Sequence, residues 1–524
     1  MDPTPPDERR PRPLHATAGI LAAAFGLGVA ELLAAIVTSW SSPVVAVGDR
    51  VVELAPPALA AWAIDTFGTA DKPALIAGTL VLLTLGAAGL GVLAARRLGL
   101  ALLGVAAFGV VGVTATLASP ATGLGGAAPA LAAAALAAVA LVVLTSGLHR
   151  RPALEVPGPA GDALGALSRR RFLELATVVG LGAAATATAG RFLVAGFDVD
   201  AARRALALPE PVQRRNLPIP ADAHPGVEGL SPFLTPNDDF YRIDINLTLP
   251  RIDPDTHVLR VHGMVDRELR IPLRDLLARE LVEIPITMTC VSYEIGGDLV
   301  GTAAWRGIPL RELLDEAGVH EAADQIVGRS VDGYTGGFPL AAAYDRDALV
   351  VVGMNGEPLP LEHGFPLRLV TPGIYGYVGA TKWLQEIELT RFDAFDQYWV
   401  PRGYDAQAPI ETMSRIDVPS GLAQLDAGET VVAGVAWAQT RGVRRVEVQV
   451  DDEDWAEAEL SPAVNDVTWV PWTFRWQASP GRHTLRVRAT DETGEVQTDR
   501  RRGVRPNGAT GQHGIVVQVR DSDA

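Results

Sequence analysis

Residues 282–297 read VEIPITMTCVSYEIGG. Val282 to Met288 has the composition of a buried strand, which ends at Thr289-Cys290 and gives way to a polar, glycine-bearing turn. Cys290 is the single cysteine among 524 residues. That count excludes an intramolecular disulfide, a zinc site built on paired cysteines, a four-cysteine iron–sulfur cluster and covalent c-type haem attachment. A lone cysteine is commonly a small buried apolar side chain. One that closes a strand just before Ser292-Tyr293-Glu294-Ile295-Gly296-Gly297 sits instead at a cleft, as a nucleophilic thiolate or a soft-metal ligand.

Outward from this stretch the chain reads as mixed α and β. Leu269–Leu281 (LRIPLRDLLAREL) carries apolar residues at helical spacing, and Trp305-Arg306-Gly307-Ile308 leads into a second amphipathic helix, Leu310–Ala317, closed by Gly318. Glu362-His363-Gly364-Phe365-Pro366-Leu367-Arg368 is followed by a loop with Gly373, Gly376 and Gly379 and then by Lys382. Glycines at intervals of three let a backbone approach a ligand, and His363, Arg368 and Lys382 suit a phosphate. From about Glu411 the segments Val431–Ala438, Arg444–Val450, Trp469–Trp476 and His483–Ala489 are β-rich and separated by turns such as Ser479-Pro480-Gly481. They read as a β-sandwich without the paired cysteines of an antibody domain.

The other half of the chain has a different solvent. Between Thr17 and Leu148 only nine residues are Asp, Glu, Lys or Arg. Apolar runs long enough to cross a bilayer lie near 17–39, 74–95, 98–118, 129–148 and 172–192. Arg9, Arg10 and Arg12, then Arg96 and Arg97, then Arg150 and Arg151 through Arg169 to Arg171 all fall on one side if the N-terminus is cytoplasmic, which puts everything after residue 197 outside. The apolar but charged stretch 43–67 reads as an external interfacial loop or helix. Ser168-Arg169-Arg170-Arg171-Phe172-Leu173 resembles a twin-arginine export signal, the kind that carries folded proteins. Glu31 is the one ionisable residue deep in a span. With no basic partner expected in any span, it reads as an interhelical contact. No histidine falls inside the spans, so no haem is expected there; His15 and His149 flank them. Residues 198–524 hold 32 basic and 50 acidic side chains. So acidic a half, with no basic stripe, argues against nucleic acid.

Taken together, Thr289-Cys290, GTAAWRG (301–307), DGYTGGFPL (332–340), NGEPLPLEHGFPLR (355–368) and Lys382-Trp383-Leu384 resemble the sulfite oxidase family of molybdenum enzymes in order and spacing. Residues 411–520, with Trp455, Trp472, Trp476 and the Pro480-Gly481-Arg482-His483 turn, resemble that family's immunoglobulin-like dimerisation domain. The resemblance implies an oxo-molybdenum centre held by the Cys290 thiolate and one pterin. His363, Arg368 and Lys382 would hold the pterin phosphate, and Tyr334 would be the active-site tyrosine. It also implies substrate arginines at Arg242 and, from the dimerisation domain, at Arg441. The chain departs from the family pattern in two places. Ile243-Asp244 stands where sulfite oxidases have Asn-His, and Val291 to Gly297 offers Glu294 where they have an arginine, a feature shared with the family's sulfoxide-reducing branch.

The expected architecture is therefore a cytoplasmic tail (1–16), a four-span membrane region (17–150), a cytoplasmic linker (151–171) and a fifth span (172–197). An α+β molybdopterin domain (198–410) and an immunoglobulin-like β-sandwich (411–524) follow. The expected protein is a multi-pass cell-membrane enzyme with its catalytic part outside. It would transfer an oxygen atom to or from a small oxyanion or an S- or N-oxide, and would exchange electrons with a separate cytochrome or membrane haem or quinone protein; the resemblance of its last domain implies a homodimer. The competing class is a metal-free, membrane-tethered binding protein.

Overall fold

The computed structural model describes residues 12–37, 40, 42–55, 62, 66–67, 71–118, 124–148, 159–195, 197–245 and 248–521. The chain divides into two compact units, residues 1–198 with 245–248, and residues 199–244 with 249–524.

The first unit is helical: Arg12–Ile36, Pro43–Leu54, Asp71–Ala94, Leu98–Leu117, Ala128–Leu148 and Pro159–Ala195. Among the described residues, five helices are long and apolar enough to cross a membrane, with windows at Pro13–Ile36, Pro73–Ala94, Leu98–Leu117, Leu124–Ser146 and Arg170–Leu193. The first begins four residues before the expected start, which places His15 within it, buried, rather than beside it. The expectation for Glu31 also needs correction. Its carboxylate accepts a hydrogen bond from Ser42, and Arg191, near the end of the fifth window, lies within electrostatic reach. A basic partner is therefore present: Arg191 falls inside the expected run 172–192, and the packing of that helix on the first brings it near Glu31. The charged stretch after residue 42 forms the helix Pro43–Leu54, whose cap is the Ser42 hydroxyl accepting from Val45 N at 3.4 Å. Arg9, Arg10, His149, Arg150 and Arg151 lie outside the described residues.

The second unit contains two sheets around one apolar core. In the first, Gln213–Arg214, Val282–Thr289, Val300–Pro309, Leu349–Met354 and Arg368–Val370 are neighbours in that order, with Glu357–Pro358 added on Leu349–Met354. In the second the order is Leu269–Pro272, Val258–Gly263, Leu384–Thr390, Gln325–Ser330 and Thr335–Pro339. Val282–Thr289 is buried at every residue, as its continuous apolar character requires for a strand covered on both faces. The helix expected over Leu269–Leu281 is a strand for its first four residues. Leu269 and Ile271 point inward, Arg270 points out, and the pairing is antiparallel to Val258–Val261. Only Leu273–Leu277 is helical, starting after Pro272, which cannot donate to a preceding turn. Leu310–Ala317 buries Leu310, Leu313, Leu314 and Ala317, and ends on Gly318 in the left-handed region at φ 71°.

Beyond residue 411, two further sheets enclose a second core. One orders Met413–Val418, Gly428–Trp437, Val470–Ala478 and Glu459–Leu460; the other orders Gln424–Asp426, His513–Arg520, Gly481–Asp491, Val443–Val450 and Ala456–Glu457. Strict alternation sets the inward face, with Leu485, Val487 and Ala489 buried along Gly481–Asp491. Side chains from this part reach the cysteine-bearing strand and its turn. Trp469 N donates to Thr287 Oγ1 at 2.8 Å, Asn465 Nδ2 to Pro285 O at 3.1 Å, and Arg415 Nη1 to Gly297 O at 2.7 Å. The position of the Cys290 turn thus depends on both halves of the unit.

Candidate active site

Cys290 leaves the end of the central strand. Its N–H donates to Leu299 O at 3.0 Å and its carbonyl accepts from Tyr293 N at 3.0 Å, so the turn that follows folds back on itself. The side chain is 6% exposed, and Ser292 N donates to Sγ at 3.4 Å. Burial pushes the thiol above its ordinary range, against those Ser292 hydrogen bonds. Without a cation on it the group is a thiol, and a metal would have to displace its proton. Tyr241, Tyr334 and Tyr375 are all electrostatically coupled to it.

A second group of side chains collects cations. His363 ends a short turn at Leu361–His363 that Gly364 closes at φ 107°. A Cβ on Gly364 would lie 3.0 Å from Lys382 Cβ, so the missing side chain is what lets Lys382 pass beside His363. His363 Nε2 donates to Asn237 O at 3.1 Å. Burial, then the neighbouring Arg368, lowers its pKa to about 4, so the ring is neutral at pH 7. Arg368 is 3% exposed and donates to His363 O at 2.9 Å and Ala380 O at 3.5 Å, with its guanidinium 4.9 Å from the Trp305 ring. Burial brings its pKa down to about 10. Lys382 Nζ donates to Glu362 O at 2.9 Å and lies 3.3 Å from Asp244 Oδ2; burial lowers its pKa to about 8 although Asp244 opposes this.

Arg242 joins this group. Its Nε lies 2.8 Å from the same Asp244 oxygen, and it is electrostatically coupled to both His363 and Lys382. Arg242 and Lys382 share one carboxylate whose side chain is 1% exposed, and Arg368 acts electrostatically on Lys382 and His363, so the group holds three cations and one carboxylate. A cluster with that excess charge suits a phosphate, which carries about −1.5 to −2 at neutral pH. Arg441 is held elsewhere. Its Nε lies 2.8 Å from the fully buried Asp491 Oδ2, and its Nη2 donates to Thr412 Oγ1 at 2.9 Å and Ile410 O at 3.3 Å. Burial works against ionising Asp491, but hydrogen bonds from Thr493 and Arg441 hold its pKa at about 2. The Tyr334 hydroxyl donates to Tyr377 O. Glu294 is exposed, on the turn that Arg415 anchors.

Of the three loop glycines, Gly373 has φ 76°, and a Cβ there would lie 2.8 Å from Arg346 Nη1. A Cβ on Gly379 would lie 2.6 Å from the Ile374 side chain. These two serve a turn and close packing rather than a ligand. Gly376 alone faces the site, beside Met288 and Tyr241. Tyr241 carries no expected role from the sequence, although it adjoins Arg242. Asp244 figures there only as a departure from a family pattern.

The donor set fits a molybdenum–pterin group. A soft sulfur sits on a buried turn, the buried hydroxyl oxygens of Tyr241 and Thr289 have no hydrogen-bond partner among the described residues, and an uncompensated cation cluster lies alongside. Comparison with known proteins points the same way. A family model described as the oxidoreductase molybdopterin binding domain matches residues 246–399. The mitochondrial sulfite oxidase of Rattus norvegicus is 29% identical over 340 residues, 55% of this chain and 62% of the relative, so this chain spans less than two thirds of that protein's length. The uncharacterized oxidoreductase YuiH of Bacillus subtilis (strain 168) is 33% identical over 146 residues, 28% of this chain and 71% of the relative. The solved structure of the sulfane dehydrogenase SoxCD from Paracoccus pantotrophus is 21% identical, covering 57% of this chain and 85% of that one at a TM-score of 0.49.

Proposed function

Because this chain belongs to the sulfite oxidase family of molybdopterin oxidoreductases, we propose that it is a membrane-anchored enzyme whose second unit catalyses two-electron oxygen-atom transfer outside the cytoplasm. When bound, the molybdenum–pterin supplies the redox chemistry. Cys290 contributes the protein's sulfur ligand. Arg368 and Lys382 hold the phosphate of the pterin with Arg242 adding its charge, and His363, whose Nε2 proton already goes to Asn237 O, joins them once the bound anion favours a protonated ring. The tyrosines around Cys290 stay protonated, since burial raises Tyr241, Tyr334 and Tyr375 above the ordinary phenol range. Each can therefore donate a hydrogen bond but cannot act as an anion at neutral pH.

The substrate follows from where the charges are committed. Arg242 is shared with Asp244 and Arg441 with Asp491, so neither arginine proposed for an anionic substrate is free of a carboxylate. That pairing favours a neutral S-oxide or N-oxide, reduced to the parent sulfide or amine, over oxidation of sulfite. Electrons come from a separate cytochrome or a membrane haem or quinone protein. The domain limits are those expected from the sequence. Residues 172–197 are the last span and Ser168 to Leu173 a twin-arginine signal, with residues 198–410 the catalytic domain and 411–524 an immunoglobulin-like dimerisation domain.

The observation that carries this reading is the lone buried thiol beside a cation cluster in charge excess. Its test is elemental analysis of full-length protein from cells that make the cofactor, with Cys290→Ser alongside. About one molybdenum per chain in the wild type and none in the variant is expected. A metal-free wild type would instead support the tethered binding protein. Assays with artificial electron carriers separate the substrates: a higher specificity constant for sulfite than for any sulfoxide or N-oxide would refute the neutral-oxide reading.

A further inference from the structure

Three tyrosine hydroxyls are electrostatically coupled to Cys290, and two of them already have a backbone partner. Tyr334 donates to Tyr377 O, and Tyr375 accepts from the backbone N–H of Glu411. The Tyr241 hydroxyl oxygen is enclosed and has no partner among the described residues. Its surroundings hold it firmly. The ring stacks on Phe240 with centroids 5.1 Å apart, and Phe240 meets Trp305 edge-on at 5.6 Å and His363 at 5.5 Å. The Arg368 guanidinium rests against the other side of that aromatic group, over Trp305. Opposite the hydroxyl stands Gly376, where even an added Cβ would remain 3.6 Å from both Tyr241 Oη and Met288 Cε. An enclosed hydroxyl left without a partner is costly, on the order of 1–3 kcal/mol, and such groups in native proteins usually meet a ligand or an ordered water.

We infer that Tyr241, rather than Tyr334, is the catalytic hydroxyl of this site, donating a hydrogen bond to the substrate oxygen that is transferred beside Cys290. This rests on the cofactor reading above. The role suits a neutral oxide. Its S–O or N–O oxygen is a strong acceptor carrying partial negative charge, and a phenol kept protonated by burial meets it without the desolvation cost of an unpaired cation. Tyr334 keeps a structural role, tying the turn at Asp332–Tyr334 to Tyr377.

The test compares full-length wild type, Tyr241→Phe and Tyr334→Phe, each loaded with cofactor. Molybdenum content is measured first, then the molybdenum(V) EPR signal in H2O and D2O, then steady-state kinetics. Tyr241→Phe is expected to keep its metal, to lose an exchangeable-proton coupling that Tyr334→Phe retains, and to drop in kcat/KM by about 10-fold or more, the scale of a lost hydrogen bond to a charged or polarised oxygen. A metal-free wild type refutes the cofactor reading and the inference with it. A metal-loaded Tyr241→Phe with unchanged coupling and kinetics refutes the inference alone, as does loss of the coupling in Tyr334→Phe only. Should Tyr241→Phe fail to load, Gly376→Val decides. Its Cβ already stands at contact distance, 3.6 Å from Tyr241 Oη, so the methyls beyond it press on the hydroxyl, and a loaded variant whose EPR coupling is identical to wild type overturns the inference.

Discussion

Replacing Asp244 by Asn is expected to weaken the cofactor-free protein while tightening its hold on phosphate. The Asp244 side chain is 1% exposed and lies 2.8 Å from Arg242 and 3.3 Å from Lys382. At an effective dielectric near 20, each contact is worth about 5 kcal/mol before desolvation, and removing one partner of a buried pair costs about 3–5 kcal/mol in practice. Arg242 is 41% exposed and recovers water when its partner goes. The loss should therefore fall near the lower end, about 3 kcal/mol. With the carboxylate gone, the buried Lys382 ammonium, its pKa already held down at about 8, loses the Asp244 attraction that opposes this lowering, and only a bound anion restores it. A bound dianion then faces three cations without the competing charge, and gains what Asp244 formerly took.

The assay is thermal unfolding of cofactor-free full-length protein in detergent at pH 6.5, where Lys382 is charged, with inorganic phosphate titrated at constant ionic strength. The variant should melt below wild type without phosphate, and the gap should close as phosphate is added, because a ligand bound only by the folded state stabilises in proportion to its affinity. A variant as stable as wild type would refute the buried pairing of Asp244, and equal stabilisation of both by phosphate would show that Asp244 does not compete with an anion at this cluster.

Three further outcomes are expected. The cofactor-free protein should lose stability as pH falls from about 6.5 to 4: His363 stays neutral when folded down to about 4, while the unfolded chain takes up its proton near 6.5. The stability present above that window is thus withdrawn through it, by about 3 kcal/mol at its acid end, and denaturant titrations of wild type and His363→Gln should diverge there if the histidine is responsible. Gly364→Ala should cost about 1–3 kcal/mol, since φ is 107° and the new methyl would press on Lys382; it should also lower molybdenum retention, and normal retention would show that the path of Lys382 past His363 does not matter. Exchanging Arg169 and Arg170 for Lys should leave the second unit protected from external protease, because the export route distinguishes guanidinium from ammonium where a topology rule does not; unchanged cleavage would make those arginines purely topological.

How far the sequence could be read depended on whether a signal was local. The buried strand ending at Cys290, the helix Leu310–Ala317 with its glycine stop and the apolar spans carry their evidence within a dozen or two residues, and each lies within a few residues of its expected limits. Leu269–Leu281 misled because Leu269, Ile271, Leu273, Leu276 and Leu277 satisfy a period of two at one end and of 3.6 at the other; the change falls at Pro272. The strands Met413–Val418 and His513–Arg520 are defined by distant neighbours and were missed. The site divides along the same line. His363, Arg368 and Lys382 could be singled out because residue type alone suggests an anion, and the structure brings the three together.

What a side chain is already doing was not legible. Arg441 is engaged by Asp491, 50 residues away, in a pairing that the register of two neighbouring strands, Val443 opposite Asp491, creates. Arg242 is engaged by Asp244, two residues away, and that pairing was visible in principle. Tyr334 is a tyrosine in the expected place, yet its hydroxyl is taken by the carbonyl of Tyr377, a group that every residue possesses and no motif can announce. Tyr241 matters for the converse reason. Nothing in its sequence context distinguishes it; only the full set of surrounding groups shows that, among the three hydroxyls coupled to Cys290, it is the one with no hydrogen-bond partner among the described residues.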